Sequence, residues 1–248
     1  CYSPLGDTTS VTITEQPQAG VARTVSTCAT ASSFQLLDSL GGSPDAGGSW
    51  WYQGAAHSDV FDPLSDLSGT YTYSIPGGVC NPVSADLLVS VDIPMNPAFS
   101  YPTGPFCTNA GSRSPNVAFG TFSTNDPINL TINASTGVID VGASQPGTYT
   151  VTQTITNGSC VTSHTEPVVI VAPPSVNIAS VAPLCSNNAA IALIGSPAEG
   201  TWSGEGVSHG VFDPAIAGAG AHLITYAIGS SSCVGIDSIS ISVNDPAN

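Results

Sequence analysis

The sequence predicts an all-β chain built from tandem antiparallel β-sandwich repeats. A Gly-x-Trp pattern followed by His and Phe-Asp-Pro occupies residues 48–63 and recurs at residues 200–214. In the middle copy, the Gly-Val-Ile-Asp segment at residues 137–140 aligns with the Phe-Asp-Pro segment of the other two copies. Short runs of alternating polar and apolar residues are separated by Gly and Pro, and helical periodicity is hard to find. Repetition at a fixed period indicates a repeat architecture, so we predict three copies of one module.

Equal intervals support the alignment of the three copies. Each interval is eight residues long and joins an apolar residue to a glycine: Phe61 to Gly69, Ile139 to Gly147, and Phe212 to Gly220. The candidate strands of the first copy are residues 21–26, 33–37, 49–53, 60–63, 70–75 and 87–91. Those of the second are 129–133, 138–141, 148–156 and 168–171, and those of the third are 176–179, 190–194, 201–203, 211–213, 222–228 and 236–243. Short strands separated by turn residues favour sandwiches of the immunoglobulin (Ig) type.

The spacing of three cysteines indicates where the repeats begin. Cys1 and Cys80 are 79 residues apart, and Cys80 and Cys160 are 80 apart; a short polar loop, a strand and a proline-bearing linker follow each of them. We therefore predict four segments: the last strand of a preceding repeat at residues 1–15, and Ig-like repeats 1, 2 and 3 at residues 16–92, 93–172 and 173–248. The chain is expected to be part of a longer array, with stiff proline-bearing joints.

Composition excludes several classes of partner. The chain has 248 residues and a net charge of −15, from 17 acidic residues against two basic ones, Arg23 and Arg113. Such a charge disfavours binding to nucleic acid and to anionic membrane surfaces. Because 41% of the residues are hydrophobic, the chain is not expected to be disordered. We find no apolar run long enough to insert into a membrane and no signal-peptide pattern.

Seven cysteines occur at regular positions in the repeats. They are Cys1, Cys28, Cys80, Cys107, Cys160, Cys185 and Cys233. None lies in a Cys-x-x-Cys pair, which argues against a zinc site and against dithiol redox chemistry. The pattern predicts disulfides and therefore an oxidising, extracellular environment.

Two pairing schemes are compatible with this spacing. One bridge within each repeat would join Cys28 to Cys80, Cys107 to Cys160 and Cys185 to Cys233. Bridges between neighbouring repeats would join Cys28 to Cys160 and Cys107 to Cys233, leaving Cys1, Cys80 and Cys185 for further repeats. The first scheme has a difficulty, because the two cysteines of one repeat lie at opposite ends of an Ig sandwich, while bridging requires α-carbons within about 7 Å.

Four motifs in repeats 2 and 3 resemble a known family. They are Gly-Thr-Trp-Ser-Gly-x-Gly-Val from Gly200, Gly-x-Phe-Asp-Pro-Ala from Gly210, Ala-Ser-Thr-Gly-x-Ile-Asp from Ala134, and Pro-Gly-Thr-Tyr-Thr-Val-Thr from Pro146, together with a hairpin cysteine. They are similar to the Ig-like repeats of Bacteroidota cell-surface proteins, which include gliding-motility adhesins and other type IX-secreted proteins. Repeat 1 matches only loosely. The resemblance implies the stalk of a secreted adhesin or surface filament, and O-glycosylation at Asp-Ser/Thr motifs containing Thr8, Ser39 and Ser238.

Two aromatic residues of repeat 1 are candidates for ligand binding. Trp50 and Trp202 recur in register, so both are predicted to be core residues between the sheets. Strand alternation places Trp51 on the opposite face from Trp50, and its counterpart Ser203 is polar. An exposed Trp51 beside Tyr52 could stack on a sugar ring, contact another protein or pack locally.

The other recurring polar residues are interpreted as structural. His57 and His209 are expected to form hydrogen bonds in loops rather than to bind metal. Asp62 and Asp213 precede proline and are expected to close Asx-type turns. Tyr71 and Tyr149, with His222 at the third position, resemble the tyrosine that locks a sandwich corner.

The resulting functional prediction is a non-catalytic segment. We find no Ser-His-Asp set, phosphate loop or nucleophile elbow in a plausible context. No metal site is predicted; calcium at repeat ends such as Asp92 and Asp245 is a lesser alternative, because oxygen-rich clusters are absent. The expected partners are neighbouring repeats of the same polypeptide or filament. A carbohydrate- or surface-binding module that uses Trp51, with surface glycans as ligands, is the alternative.

Overall fold

The computed structural model describes residues 9–230 and 233–245. The three copies predicted from the sequence appear as three sets of strands, each closed over its own hydrophobic core. We call these core 1, core 2 and core 3. Their buried residues span positions 19–89, 99–170 and 193–243, respectively.

Core 1 is enclosed by seven strands and one short helix. These are β1 (Arg23–Cys28), β2 (Phe34–Gln35), a 3-10 helix (Leu37–Ser39), β3 (Ser49–Tyr52), β4 (Ala55–His57), β5 (Val60–Phe61), β6 (Gly69–Ile75) and β7 (Val83–Asp92). One sheet has the order β1-β7-β6-β3-β4, and β2 pairs with β5 opposite it. Alternate residues of β6 and β7 are buried, as expected for strands that present one face to a core.

Core 2 is enclosed by fewer strands and more loop. The strands are β8 (Phe106–Cys107), β9 (Thr121–Thr124), β10 (Gly147–Asn157) and β11 (Cys160–Val171), in the sheet order β8-β11-β10-β9. The predicted strands at residues 129–133 and 138–141 are reduced to isolated bridges from Ile139 to Ile132 and to Arg113. The Asn133 side chain explains this difference, because it accepts the N–H groups of Ser135 and Thr136 and bends the chain there.

Core 3 repeats the arrangement with nine strands. These are β12 (Asn177–Ile178), β13 (Leu184–Cys185), β14 (Ile191–Ala192), β15 (Gly195–Ser196), β16 (Thr201–Ser203), β17 (Val207–Ser208), β18 (Val211–Phe212), a helix α1 (Pro214–Ala217), β19 (Gly220–Ser230) and β20 (Cys233–Asn244). The sheets are β13-β20-β19-β16, β14-β18-β17 and β12-β15. The Asp213 carboxylate caps α1 by accepting the Ala215 N–H at 2.9 Å.

All three cores share one parallel strand pair in otherwise antiparallel sheets. The short first strand of the main sheet lies parallel to the last strand in β1–β7, β8–β11 and β13–β20. Phe61, Ile139 and Phe212, which the sequence aligned, are all fully buried. The chain is therefore all-β and consists of tandem Ig-like repeats, as predicted.

The strand that follows the tryptophan-bearing strand pairs with different sheets in cores 1 and 3: β4 joins one sheet and β17 joins the opposite one. In core 1, Gln53 and Gly54 both have positive φ, the geometry of a tight hairpin turn, and β4 folds back on β3. In core 3 that turn is missing, and β17 pairs with β18 in the opposite sheet. The two aligned tryptophans also differ in burial: Trp50 has 3% of its surface exposed, whereas Trp202 is only half-buried.

The chain divides into two compact units. The first contains the chain up to Asn96 together with Ile155–Thr162, and the second contains Pro97–Thr154 and the chain from Ser163 onward. The tip of the β10–β11 hairpin thus belongs to the first unit.

The predicted repeat boundaries stay a prediction. Residues 9–15 contain no strand, and residues 1–8 lie outside the described part. No helix in the described part is long and apolar enough to cross a bilayer.

Candidate functional site: the cysteine joints

Three cysteines end the short parallel strands in the same way. Cys28, Cys107 and Cys185 are the last residues of β1, β8 and β13. The residue after each donates its N–H to the last strand of the same core: Ala29 to Asp92 O at 2.9 Å, Thr108 to Val171 O at 3.0 Å, and Ser186 to Asn244 O at 2.9 Å. Each cysteine carbonyl then accepts the N–H three residues later, closing a turn. We call Cys28, Cys107 and Cys185 the strand-end cysteines.

The disulfides join strand-end cysteines to hairpin cysteines of the next core. Cys28 is bonded to Cys160, the first residue of β11, with α-carbons 4.8 Å apart. Cys107 is bonded to Cys233, the first residue of β20, with α-carbons 5.1 Å apart. Both separations fall within the range that a disulfide requires. Of the two pairing schemes that the sequence left open, the structure contains the one with bridges between neighbouring repeats.

The alternative scheme of one bridge within each repeat is wrong. Cys28 lies beside Asp92 at the end of β7, whereas Cys80 precedes the start of that strand. A ten-residue strand spans roughly 30 Å, so the two cysteines of one core cannot meet. Cys80 and Cys185 are free thiols in the described part of the chain. Cys1 lies outside the described residues.

We call each disulfide between cores, together with the residues that contact one another around it, a joint. The first joint, at Cys28–Cys160, is reinforced by polar contacts around Asp92. The Asp92 carboxylate accepts the Ser159 N–H at 2.7 Å and the Ser159 hydroxyl at 2.8 Å. These two hydrogen bonds lower the pKa of Asp92 below its ordinary value. Asn157 donates its side-chain amide to the Ile93 carbonyl at 2.8 Å. A Cβ at Gly158 would overlap the Asp92 carboxylate, so the hairpin tip fits this linker closely.

The second joint uses different contacts. Asn109, two residues after Cys107, donates its side-chain amide to the Val234 carbonyl at 3.3 Å. A Cβ at Gly235 would overlap the Pro174 carbonyl, so the linker passes closely over the start of β20. Both joints therefore combine a disulfide with a hydrogen bond and a tight glycine contact. The sequence did not predict these contacts around the cysteines, and only the cysteine positions pointed to the joints.

The structure separates the two aromatic candidates. Trp51 lies on the outer face of the sheet with 42% of its surface exposed, as alternation predicts. Tyr52 faces the other way; its ring stacks on Tyr71 with centroids 4.7 Å apart, and its hydroxyl donates to Ser68 O at 3.1 Å. Tyr52 is thus part of the packed layer, and only Trp51 is presented to solvent. Leu88 is exposed on the same outer face, two strands away.

The predicted corner residues have the expected geometry. Tyr71 and Tyr149 each donate the phenol to the carbonyl four residues earlier at 2.7 Å, and His222 Nε2 lies 2.9 Å from the carbonyl of Gly218. Burial, and after it the charge of Asp66, raises the pKa of Tyr71 to about 12. The three corners thus use the same contact with two kinds of side chain.

A cross-strand pair of side chains also recurs, and the sequence did not reveal its second member. The pairs, on neighbouring antiparallel strands, are Trp50 with Tyr73, Phe122 with Gln153, and Trp202 with Tyr226. The Tyr73 hydroxyl accepts the Gly48 N–H at 2.9 Å and donates to Asp45 O at 2.7 Å. In core 3, Tyr226 makes the corresponding bonds with Gly200 N at 2.6 Å and Pro197 O at 2.7 Å.

Core 2 has an imperfect version of this pair. Gln153 is fully buried and donates its amide to the Phe119 carbonyl at 2.5 Å. Its Oε1 has no hydrogen-bond partner, and among the described residues it is the one buried side-chain polar atom of which this is true. Core 2 therefore carries a polar defect where cores 1 and 3 have a bridging tyrosine.

The remaining polar candidates of repeat 1 make local contacts, and His57 Nε2 and the Asp62 N–H both contact the Asp66 carboxylate, at 3.4 and 2.7 Å. His57 Nδ1 is 2.7 Å from Ser58 O, and Asp62 closes a turn by accepting the Leu64 N–H at 3.0 Å. In residues 9–230 and 233–245, no group of three or more His, Cys, Asp or Glu side chains could hold a metal ion. Of the O-glycosylation candidates, Ser238 is exposed on β20, Ser39 is half-buried in the 3-10 helix, and Thr8 lies outside the described residues.

Comparisons with known proteins identify similar folds but no family. No protein-family model matches the chain, and no curated protein matches it. The titin fragment I67–I69 is similar at 13% identity and a TM-score of 0.47, over 95% of this chain and all of that one. The eight N-terminal Ig domains of Down Syndrome Cell Adhesion Molecule are similar at 14% identity and a TM-score of 0.45, over 94% of this chain.

Mouse cadherin-23 EC22–24 is similar at 13% identity and a TM-score of 0.31. This chain spans 37% of the Down Syndrome Cell Adhesion Molecule structure and 58% of Sidekick-1 domains 1–5, for which the TM-score is 0.36. At these identities and TM-scores the similarities carry no inference about function.

Proposed function

We propose that the chain is a non-catalytic structural segment of an extracellular repeat adhesin or surface filament. The observation that supports this most strongly is the pair of disulfides between successive cores, each built from a strand-end cysteine and a hairpin cysteine. In this proposal the repeats span residues 16–92, 93–172 and 173–248, and residues 1–15 belong to a preceding repeat. Repetition of one joint at each boundary suits a shaft, since each bridge limits how far neighbouring repeats can separate.

The proposed location is the cell exterior. Persistent disulfides form in oxidising compartments, and two bridges are present in the described residues. Motif resemblance to Bacteroidota gliding-motility adhesins and other type IX-secreted proteins supports a secreted origin of that kind. On the same grounds, Thr8, Ser39 and Ser238 are proposed O-glycosylation sites, and the partners are neighbouring repeats rather than nucleic acid or membrane.

The interleaved bridges define how far the chain can be stretched. Tension applied at the two ends would pass from Cys28 to Cys160, back along the chain to Cys107, and on to Cys233. The stretchable path contains 27 residues before Cys28, 52 between Cys107 and Cys160, and 15 after Cys233. At about 3.6 Å per residue this path reaches about 340 Å, against about 890 Å for the fully reduced chain.

Single-molecule force spectroscopy tests the proposed mechanical role. Pulled from its ends, the oxidised chain should reach a final contour length of about 340 Å, and dithiothreitol should raise it to about 890 Å. The variant Cys107→Ser is the matched control. It leaves 27 residues before Cys28 and 88 after Cys160 in the path, so it should stop near 410 Å. Equal lengths for oxidised and reduced wild-type chains would contradict the proposal.

A carbohydrate- or surface-binding module is the second candidate, because Trp51 is exposed on a sheet face. Because Tyr52 faces inward, Trp51 is the one ring of the candidate pair that a glycan could contact. A glycan array should then report binding by the wild type that Trp51→Ala abolishes. The control Leu67→Ala, which alters a more exposed apolar residue in a corner loop, should bind normally. If the wild type binds no glycan, this candidate fails and the structural role remains.

A further inference from the structure

The tip of the β10–β11 hairpin, in the first joint, contains the one Asn-Gly sequence of the chain, Asn157-Gly158. Both residues are exposed. An asparagine before glycine is chemically reactive, because glycine has no Cβ to shield its backbone nitrogen from the asparagine carboxamide. The other asparagines precede residues that carry a Cβ, such as the alanine after Asn109 and after Asn188. The most reactive asparagine of the chain therefore lies in the first joint.

A contact across the joint holds the Asn157 carboxamide. Its Nδ2 donates to the Ile93 carbonyl at 2.8 Å. In the reaction of an Asn-Gly sequence, the Gly158 nitrogen bonds to the carboxamide carbon of Asn157, and the carboxamide nitrogen leaves as ammonia. The hydrogen bond to Ile93 fixes the side chain and has to break before this nitrogen can leave. The closed joint therefore slows the reaction.

The Asp92 carboxylate provides a second obstacle. It accepts two hydrogen bonds from Ser159, and it lies so close to Gly158 that a Cβ there would overlap it. The attacking form of the Gly158 nitrogen has lost its proton and carries a negative charge. A neighbouring carboxylate disfavours a second negative charge. Asp92 therefore lowers the amount of the attacking form while the joint is closed.

From these contacts we propose that Asn157 is a deamidation site that the first joint protects and that reacts when this joint opens. An open joint is a state in which Asn157 and Gly158 have moved away from Ile93 and Asp92. The inference rests on the proposed structural function, because it assigns a chemical consequence to the opening of a joint between repeats.

The reaction needs only water as a co-reactant. When the Gly158 nitrogen attacks the Asn157 carboxamide carbon, a new C–N bond forms and the carboxamide C–N bond breaks. Ammonia leaves with the proton of the Gly158 N–H. Water then opens the resulting cyclic imide at one of its two carbonyl carbons. The product is aspartate, or isoaspartate, in which the backbone continues through the former side-chain carbonyl.

The product prevents the joint from closing as before. A carboxylate at position 157 cannot donate to the Ile93 carbonyl, and it repels the carboxylate of Asp92. Isoaspartate also lengthens the backbone of the hairpin tip by one carbon atom. Because the loss of ammonia is irreversible, a joint that has reacted while open stays weakened. Deamidation of Asn157 is thus a permanent record that the first joint has opened.

The test compares deamidation of Asn157 in three thiol-blocked forms of the full chain. Each is incubated in mildly alkaline buffer, and peptide mapping by mass spectrometry follows the conversion of Asn157. Cys28→Ser combined with Cys160→Ser removes the first bridge and should raise the rate at least about fivefold, the effect of losing one hydrogen bond. The matched control, Cys107→Ser combined with Cys233→Ser, removes the second bridge and should leave the rate as in the wild type.

Two results of this comparison would overturn the inference. Equal rates in the wild type and in the variant without the first bridge would show that the joint does not protect Asn157. Equal acceleration in both double variants would show that general loosening of the chain, rather than opening of the first joint, exposes this residue.

The variant Asn157→Asp tests the effect of the product on the joint. Dithiothreitol should reduce its Cys28–Cys160 bridge several-fold faster than in the wild type, and an unchanged rate would contradict the weakening. The control Asn109→Asp alters the corresponding contact of the second joint and should leave that rate unchanged. The proposed function fails on a different observation, a wild-type map that lacks the Cys28–Cys160 and Cys107–Cys233 bridges. An unprotected Asn157 with both bridges intact refutes this inference alone.

Discussion

The recurring tyrosines of core 1 allow a quantitative test of how the sandwich is stabilised. Tyr71 and Tyr73 lie on the same strand, and both are buried, with 1% and 2% of their surfaces exposed. The Tyr71 hydroxyl donates to one carbonyl, that of Leu67 at 2.7 Å. The Tyr73 hydroxyl makes two bonds, since it also accepts the Gly48 N–H. Replacing either residue by Phe keeps the ring and removes only the hydroxyl.

The number of lost bonds sets the expected loss of stability. At about 1 kcal/mol for each intramolecular hydrogen bond, Tyr71→Phe should lower the free energy of unfolding by about 1 kcal/mol and Tyr73→Phe by about 2 kcal/mol. Both substitutions affect the same core, so they report on the same transition. Equal losses for the two variants would refute the bridging role assigned to Tyr73.

Tryptophan fluorescence during chemical denaturation can measure this difference. Of the three tryptophans, Trp50 and Trp51 lie in core 1 and Trp202 lies in core 3. In a Trp202→Phe background the signal therefore comes from core 1. Trp50 is well placed as a reporter, because its ring lies 5.0 Å from that of Tyr73.

Three further predictions follow from the polar defect, the hairpin tip and the buried phenol. Gln153→Met should stabilise core 2 by about 1 kcal/mol in thermal or urea unfolding, because relief of the unpaired Oε1 outweighs one lost hydrogen bond; a destabilised variant would contradict this. Gly158→Ala should speed reduction of the Cys28–Cys160 bridge by dithiothreitol several-fold, because the added Cβ displaces the Asp92 carboxylate. The control Gly78→Ala should leave the reduction rate unchanged, because Gly78 has a similar positive φ but lies in open space. In thiol-blocked protein, the stability due to neutral Tyr71 should be present below pH 10 and lost as the pH rises through about 12, and Tyr71→Phe should remove that dependence.

The fold could be predicted because the repeated residues are scaffold residues. Phe61 and Phe212 are fully buried, and Asp62 and Asp213 close the turns that follow them. Trp50 is buried as expected for a side chain packed between sheets. A recurring motif can be aligned without knowing the three-dimensional structure, so these positions were accessible from sequence spacing alone.

The pairing of strands depended on details that the motif does not contain. The His and Phe-Asp-Pro residues are shared by repeats 1 and 3, yet β4 and β17 join opposite sheets. A two-residue turn at Gln53 and Gly54 decides the difference. The two-residue strand β8 was missed, because two residues are too few to display any alternation.

The cysteine joints could be predicted in part. Their positions and the two possible schemes followed from spacing, but spacing left the choice open. The distance between Cys28 and Cys80 depends on the length and register of β7, which only the structure provides. The contact between Asp92 and Ser159 gave no sequence signal, since a single acidic residue and a single serine 67 positions apart form no motif.

Disulfide mapping of the native protein is the most direct test of the central account, which is that successive repeats are joined by disulfides. The chain contains no lysine and only two arginines, so cleavage at acidic and aromatic residues under non-reducing, mildly acidic conditions is the suitable digestion. Mass spectrometry should then identify one linked peptide pair containing Cys28 and Cys160 and another containing Cys107 and Cys233. A linked pair containing Cys28 and Cys80 would contradict the account.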